Sequence, residues 1–194
     1  MEKIIFDRIT SSIETKQQLL GEDEVLVNIE KAAIACINAF TNKGKVLFCG
    51  NGGSAADAQH LAAEFSGRFY FDRAPLDSEA LHVNTSYLTA VANDYSYDEV
   101  YSRLVRAKGA PGDVLIALST SGNSSNIIKA MVTARDLGMI VIGLTGQSGG
   151  KMRDLCDILL NVPSVDTPRI QECHILVGHI ICELVEDSLF TRES

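Results

Sequence analysis

KVLFCGNGGSAADAQHLAAE, residues 45–64, is the stretch from which the architecture of the chain can be worked out. Its apolar start, residues 45–49, predicts a buried strand, because a short apolar run that ends at turn residues is typical of one. A cluster of glycine and asparagine follows, which we call the glycine turn (residues 50–53), and then an alanine-rich helix with Ser54 as its predicted N-cap. A turn of this kind aligns backbone N–H groups with the positive end of the helix dipole. It therefore predicts a site for an anion, most often a phosphate.

The same predicted helix carries two side chains that can exchange protons. His60 and Glu64 are four residues apart, which places an imidazole and a carboxylate on one helix face, one turn apart. Such a pair, taken alone, is more often a solvated surface pair than a site. Its place just beyond the glycine turn instead favours chemistry on a phosphorylated small molecule.

A second turn of similar composition follows a later predicted strand. Residues 119–124 read STSGNS, which we call the serine turn, and they come directly after the apolar run 114–118. Hydroxyl groups donate hydrogen bonds to phosphate oxygens, and glycine lets the backbone come close. An ordinary capped loop would look similar, but ligands of open parallel sheets bind where strands end, which favours phosphate. Neither turn has the Gly-x-Gly-x-x-Gly or Gly-Lys-[Ser/Thr] pattern of a dinucleotide or nucleoside-triphosphate loop.

Strands and helices alternate along the chain. Beyond the alanine-rich helix, the pattern predicts helices over residues 3–20, 23–42, 86–93, 98–108, 125–137 and 169–190, and strands over residues 45–49, 80–83, 114–118, 140–144 and 158–162. This alternation predicts an α/β fold: a parallel β-sheet sandwiched between α-helices in three layers. We expect a single domain over residues 1–194, with an α/β core at 44–194. The two extra N-terminal helices, within residues 1–43, either pack against a partner subunit or cover the domain's own core.

The composition narrows the class of protein. A net charge of -8 argues against general binding to nucleic acid and against binding to an anionic membrane surface. There is no run of roughly 18 apolar residues, and the N-terminus lacks the apolar core of a signal peptide. The five cysteines are an odd number without a Cys-x-x-Cys pattern. They predict reduced thiols in a cytoplasmic protein, rather than disulfides or a zinc–thiolate site.

Three motifs together resemble a known family. They are GNGGS at residues 50–54, STSGNS at residues 119–124, and Arg169-Ile170-Gln171-Glu172 followed by His179. Over essentially its whole length the chain resembles the sugar isomerase (SIS) domain, a flavodoxin-like three-layer fold, and within that family it resembles the phosphoheptose isomerases. The resemblance implies conversion of sedoheptulose 7-phosphate to D-glycero-D-manno-heptose 7-phosphate, the first step toward the heptose of bacterial surface polysaccharide.

The resemblance also implies roles for individual residues. The implied ligands of one Zn²⁺ per subunit are His60, Glu64, Gln171 and His179. The implied acid–base pair is Glu64 and His179. The implied substrate contacts are Asn51, Gly52, Gly53, Ser54, Glu64, Asn93, Asp94, Ser119, Thr120, Ser121, Ser124 and Gln171. The family assembles as a homotetramer with sites at subunit junctions, which implies the same assembly here.

The chemistry of this residue set leaves several points open. A carboxylate and an imidazole can move a proton between C1 and C2 through an enediol, while zinc polarises the carbonyl or fixes the shape of the site. A metal on Glu64 and His179 would, however, use the lone pairs that acid–base work requires. Gln171 and His179 lie roughly 12 Å apart along one helix. Either their side chains lean together, or Gln171 lies in a frayed first turn, or different copies of the chain supply them. His174, three residues after Gln171, is the alternative to His179.

Two other functions are compatible with the sequence. The chain could isomerise another phosphosugar, such as a pentose or hexose phosphate. It could instead be a non-enzymatic SIS protein that binds a replication initiator or senses phosphosugars. Relatives that bind a protein partner lack the helix glutamate, so Glu64 favours an enzyme. Pro168 precedes Arg169 where the resemblance implies a polar residue, which leaves the role of that position open.

Overall fold

The structure, a computed structural model, describes residues 1–191. Its helices are α1 (Glu2–Leu20), α2 (Asp23–Thr41), α3 (Gly53–Ser66), α4 (Thr85–Asp94), α5 (Val100–Lys108), α6 (Ser125–Asp136) and α7 (Thr167–Leu189). Its strands are β1 (Val46–Gly50), β2 (Ser78–Ala80), β3 (Val114–Ser119), β4 (Ile140–Thr145) and β5 (Ile158–Asn161). Short 3₁₀ turns occupy Tyr97–Glu99 and Gly150–Leu155.

The five strands form one parallel sheet in the order β2-β1-β3-β4-β5. Val46 pairs with Val114, and Val114 pairs with Ile140, so the three central strands start in register. The chain builds outward from β1 to one side with β2 and to the other with β3, which makes the gap between β1 and β3 the switch point of the sheet. Ligands of such sheets bind at the carboxyl ends of the strands beside the switch point. The glycine turn after β1 and the serine turn after β3 are therefore neighbours.

Helices cover both faces of the sheet, as the strand and helix pattern predicts. One face packs α2, α3 and α7 against strand residues such as Phe48, Ile116 and Ile142. The other face packs α4, α5 and α6 against strand residues that include Leu47 and Leu115. Successive residues of a strand point to opposite faces, so β1 and β3 are buried along their whole length. Within residues 1–191, none of the helices combines the length and the apolar character needed to cross a bilayer.

Among the element boundaries that differ from the sequence prediction, two have a clear physical reason. The second strand covers Ser78–Ala80 rather than residues 80–83, because β2 pairs only with β1 and the chain then turns, with Val83 N–H donating to the Ala80 carbonyl. The last helix begins at Thr167 rather than at residue 169. Pro168 fits in its first turn because N–H groups there have no helical partner to lose.

The prediction that Ser54 caps α3 is wrong. Gly52 occupies the N-cap position with φ of 57°, and the helix begins at Gly53. Glycine adopts a positive φ without a steric cost, whereas serine does so rarely. Ser54 instead lies buried in the first turn, with its N–H donating to the Asn51 carbonyl. The tight turn also needs Gly50, since a methyl group there would lie 2.6 Å from the backbone carbonyl carbon of Ser54.

Candidate active site

Three side chains from two helices meet in what we call the His–Glu cluster: His60 and Glu64 on α3, and His179 on α7. The His60 Nε2 atom lies 3.2 Å from Glu64 Oε1 and 2.9 Å from His179 Nε2. One ligating atom from each residue falls within 4.8 Å of the others. Gly178 permits this meeting, because a side chain there would collide with Leu61 of α3. The structure thus joins a pair predicted from local spacing to a histidine far along the chain.

The surroundings of His179 favour its neutral form. Burial lowers the pKa of His179, the charge of His60 lowers it further, and Glu64 raises it. The ring of Phe69 lies against it, with 5.6 Å between ring centroids. A neutral imidazole has a free lone pair at one nitrogen, which can accept a proton or bind a metal.

The His–Glu cluster has a donor set that suits Zn²⁺. Two ring nitrogens 2.9 Å apart can hydrogen-bond to each other only if one of them carries the proton between them. Zinc bonds of about 2.0–2.2 Å place tetrahedral ligand atoms roughly 3.4 Å apart, which is close to the 2.9 Å and 3.2 Å that separate His60 Nε2 from His179 Nε2 and Glu64 Oε1. Two imidazoles and a carboxylate, with a fourth position open, form a donor set of catalytic zinc sites. His60, Glu64 and His179 therefore fit the metal that the resemblance implies.

Gln171 lies against the glycine turn. A methyl group added to Gly53 would be 2.5 Å from Gln171 Nε2, so the absence of a side chain at Gly53 makes room for the amide. Gln171 is the fifth residue of α7, beyond the first turn, and the helix continues unbroken to His179. The structure places Gln171 beside the glycine turn and His179 in the His–Glu cluster.

Hydrogen bonds join the glycine turn to the segment that follows the serine turn. Asn51 Nδ2 donates to Asn126 Oδ1 at 2.8 Å, and Asn126 Nδ2 donates back to Asn51 Oδ1 at 2.9 Å. The Tyr97 hydroxyl also donates to Asn51 Oδ1, at 3.1 Å. Sequence reasoning missed Asn126 and Tyr97. Asn126 could have been suspected because it is an amide just past the serine turn, whereas no local signal marks Tyr97.

The serine turn faces an open cavity of about 190 Å³. Ser119 and Ser124 pair through their hydroxyls at 3.0 Å, at the carboxyl end of β3. Thr120 and Ser121 line the cavity together with polar residues that the sequence analysis did not single out, namely Gln147, Ser148, Ser164 and Thr167. A wider cavity of about 640 Å³ opens at the opposite edge of the sheet, and none of the predicted site residues lines it.

Asn93 and Asp94 end α4, where Asn93 Nδ2 donates to Asp94 Oδ1 at 2.9 Å. The 3₁₀ turn that carries Tyr97 comes shortly after them, and the contact of Tyr97 with Asn51 brings the end of α4 to the glycine turn.

Asp57 precedes His60 by three residues. Burial raises the pKa of Asp57 and the charge of His60 lowers it, and its buried Oδ2 has no hydrogen-bond partner among the described residues.

His174, the alternative to His179, lies in the core and not in the His–Glu cluster. The residue is 1% exposed, and its Nε2 donates to the Thr145 carbonyl at 3.1 Å. The buried Nδ1 atom has no hydrogen-bond partner in residues 1–191. Burial lowers the pKa of His174 to about 4.

We expect His174 to weaken the fold as pH falls from 6.5 to 4. In this window the unfolded chain binds one more proton than the folded chain, because the unfolded pKa is about 6.5 and the folded pKa is about 4. The free energy of unfolding should therefore lose up to about 3 kcal/mol from this group, with its full contribution present above pH 6.5. Urea unfolding of His174→Gln, which cannot titrate, should show a shallower pH dependence. Parallel curves for both proteins would contradict this prediction.

Sequence comparison identifies the family. The SIS domain pattern matches residues 12–146. A phosphoheptose isomerase from Aneurinibacillus thermoaerophilus is 54% identical over 193 residues, covering 100% of this chain and 98% of that protein. A phosphoheptose isomerase from Burkholderia pseudomallei is 51% identical over 197 residues and is covered completely.

Solved structures agree with the sequence comparison. A phosphoheptose isomerase from Neisseria gonorrhoeae superposes with a TM-score of 0.90 at 44% identity, covering 97% of this chain and 99% of that chain. One from Francisella tularensis has a TM-score of 0.91 at 37% identity, covering 95% and 97%. The chain therefore belongs to the SIS domain family and, within it, to the phosphoheptose isomerases.

Proposed function

We propose that the chain interconverts sedoheptulose 7-phosphate and D-glycero-D-manno-heptose 7-phosphate. The observation that carries the proposal is the His–Glu cluster, in which His60 and Glu64 lie on the helix that begins at the glycine turn and His179 joins them from α7. Relatives named phosphoheptose isomerase match the whole chain at about half of all positions, 54% and 51%. We also propose that this reaction is the first step toward the heptose of a bacterial surface polysaccharide.

The reaction moves a proton between C1 and C2 of the sugar. A base removes a proton from C1 of the ketose while the C2 oxygen gains one, which forms an enediol. Return of a proton to C2 and loss of one from O1 then gives the aldose. The Glu64 carboxylate and the neutral His179 imidazole are the groups of the His–Glu cluster that can take and return these protons. The cluster's shape supports this role, since both groups converge on one point.

We propose Zn²⁺ as the cofactor, held by His60, Glu64 and His179. When bound, it would polarise the sugar carbonyl and stabilise developing negative charge on oxygen. Gln171, which lies against Gly53, would act as a substrate contact or as a further ligand. Metal binding and acid–base work compete for the same lone pairs, so removal of the metal and replacement of Glu64 should give different kinetic results.

The substrate would lie between the two turns and the His–Glu cluster. We propose that its phosphate contacts the serine turn through Ser119, Thr120, Ser121 and Ser124, whose hydroxyls stand at a helix start and an open cavity. The remaining proposed contacts are Asn51, Gly52, Gly53, Ser54, Glu64, Asn93, Asp94 and Gln171. The paired amides of Asn51 and Asn126 support a fixed spacing between the two turns.

The decisive experiment is the reaction in heavy water, followed by NMR. With sedoheptulose 7-phosphate, we expect the aldose product to appear with solvent deuterium at C2, because an enediol exchanges its proton with the base and the solvent. Pentose and hexose phosphates tested in parallel should react much more slowly. Faster turnover of one of these sugars would overturn the substrate assignment, and binding without turnover would point to a phosphosugar sensor. Product without deuterium would exclude an exchangeable enediol proton.

We propose that the chain forms a homotetramer through α1, with active sites near subunit junctions. Helix α1 buries only Thr15 and Leu19, and it exposes a series of large apolar residues: Ile4, Ile5, Phe6, Ile9, Ile13 and Leu20. An apolar surface of this kind commonly marks a protein–protein interface. The Ser12 hydroxyl donates to Glu172 at 2.6 Å, which fixes α1 beside the helix turn that carries Gln171. A partner seated on α1 would thus lie close to the site.

The assembly is tested by light scattering after gel filtration. We expect a mass near four times the 21.0 kDa of one chain. Replacing Ile9 and Ile13 together by aspartate should give smaller species, because buried carboxylates oppose association. Val132→Asp is the control, since Val132 is 42% exposed on α6, far from α1 in sequence. A monomeric wild-type chain at assay concentration would contradict the proposal.

We also propose that the protein works in the cytoplasm. All five cysteines are free thiols, and four of them are buried. Burial raises the pKa of Cys36 to about 12, which keeps this thiol protonated and unreactive. Free, packed thiols are typical of proteins in a reducing compartment.

A further inference from the structure

Arg73 and Glu186 form a buried ion pair, which the proposed isomerisation does not use. Arg73 Nε donates to Glu186 Oε2 at 3.0 Å, and the two side chains are only 2% and 1% exposed. Moving two charges out of water costs several kcal/mol, so a buried pair is often no more stable than apolar residues in its place. A gain in stability therefore does not account for the pair, whereas the backbone segments that its hydrogen bonds connect do.

Glu186 holds the segment that follows α3. Its carboxylate accepts hydrogen bonds from three successive backbone N–H groups, those of Phe69 at 2.8 Å, Tyr70 at 2.7 Å and Phe71 at 3.3 Å. Residues 69–71 lie outside any helix or strand, so they have no ladder of their own to bind these N–H groups. The segment so held places the ring of Phe69 against His179.

Arg73 holds the end of α3. Its guanidinium donates to the carbonyls of Glu64 at 2.8 Å, Phe65 at 2.8 Å and Gly67 at 3.1 Å. The last four carbonyls of a helix lack partners within it, and α3 ends at Ser66. Arg73 therefore satisfies the turn of α3 from which the Glu64 side chain projects. A planar guanidinium can serve several acceptors in one plane, which an ammonium group cannot do.

The pair connects the two helices that form the His–Glu cluster. Glu186 follows His179 by seven residues on α7, which places both on one helix face, about 10 Å apart along the axis. One end of the pair is thus fixed to the helix of His179. The other end is fixed to the final turn of the helix that carries His60 and Glu64.

We propose that Arg73 and Glu186 are positioning residues, which set the spacing of α3 and α7 and so hold the ligating atoms of the His–Glu cluster in place. Sites of this kind tolerate displacements of only about 0.5 Å. Loosening the pair should therefore affect the reaction step and metal affinity more than substrate binding. The kinetic part of this inference rests on the proposed isomerase function, while its structural part does not.

The test uses Glu186→Gln and Arg73→Lys in the full-length protein. Glutamine keeps the shape of Glu186 without its charge, and lysine keeps the charge of Arg73 without its planar set of donors. We expect kcat to fall about 10–100-fold, and Co²⁺ affinity, measured by visible absorption, to fall by a similar factor. KM for sedoheptulose 7-phosphate should change much less.

The matched control is Asp113→Asn. Asp113 is a buried carboxylate at the opposite edge of the sheet, and it accepts from Lys45 N at 2.9 Å, Ala110 N at 2.9 Å and Lys45 Nζ at 3.0 Å. This variant should lower the thermal unfolding midpoint comparably and leave kcat and Co²⁺ affinity near wild type. Equal losses of kcat in Asp113→Asn and Glu186→Gln would overturn the proposal, because the effect would then be general destabilisation.

A third measurement is independent of activity and metal. The chain has only four histidines, so ¹³C-histidine NMR can resolve each ring. In Arg73→Lys and Glu186→Gln we expect shifts of the His60 and His179 signals, with His82 and His174 unchanged. Wild-type signals for His60 and His179 in a folded Arg73→Lys protein would overturn the positioning role. An inactive wild type whose variants still show these shifts would refute the isomerase function alone.

Discussion

Glu64→Gln is expected to lower kcat for sedoheptulose 7-phosphate by about 10²–10⁴-fold, the range typical of a lost acid–base group. The amide has nearly the shape of the carboxylate but cannot accept a proton from carbon. The side chain is partly exposed, at 22%, and its ion-pair partner is His60, so the fold should remain intact. A coupled assay measures turnover, and circular dichroism during heating measures the fold.

Glu79→Gln is the matched control for this variant. Glu79 is a partly exposed carboxylate on β2 that pairs with Lys108 and contacts none of the His–Glu cluster in the described chain. Turnover should stay within about twofold of wild type, as for most surface changes. Near-normal kcat in Glu64→Gln would remove Glu64 from the reaction and leave His179 without a partner carboxylate.

Removal of the metal is expected to lower activity by about 100-fold or more, since a Lewis acid contributes several kcal/mol to stabilising charge in the transition state. We expect about one zinc per purified chain by metal analysis, because two histidines and a glutamate place ligating atoms within 4.8 Å of one another. Dialysis against a chelator should produce this loss of activity, and added Zn²⁺ should restore the activity.

A pair of histidine variants distinguishes a specific site from general metal binding. His60→Gln should lose the bound zinc, whereas His82→Gln, outside the His–Glu cluster, should keep it. Full activity in chelator, together with no zinc in the purified protein, would remove the metal from the mechanism.

Most of the fold could be predicted because its signals are local. A buried strand such as β1 appears as a short apolar run, and α2 appears as apolar residues at helical spacing. The errors fell where local propensity competes with backbone geometry. Ser54 is a favoured cap residue, but the cap of α3 needs a positive φ, which Gly52 adopts without a steric cost.

The candidate site was predictable in its parts but not in its assembly. His60 and Glu64 could be paired by spacing, and the serine turn could be placed at a strand end. His179 was named through the family resemblance, since a histidine in an apolar run is usually a core residue. His174 is such a core residue, and the structure distinguishes the two by burial and by partner: His174 is buried against Thr145, whereas His179 meets His60. Tyr97 and the Arg73–Glu186 pair left no comparable sign in the sequence.

The amino-acid sequence alone determined the parallel α/β sandwich, the two turns at its carboxyl edge, and the pairing of His60 with Glu64. Each of these depends on residues within a few positions of one another, where periodicity and turn chemistry act directly. The tertiary structure decided which distant groups meet: His60 with His179 across 119 residues, and Arg73 with Glu186 across 113. Such contacts depend on strand order and on how closely α3 and α7 pack, which no local pattern specifies.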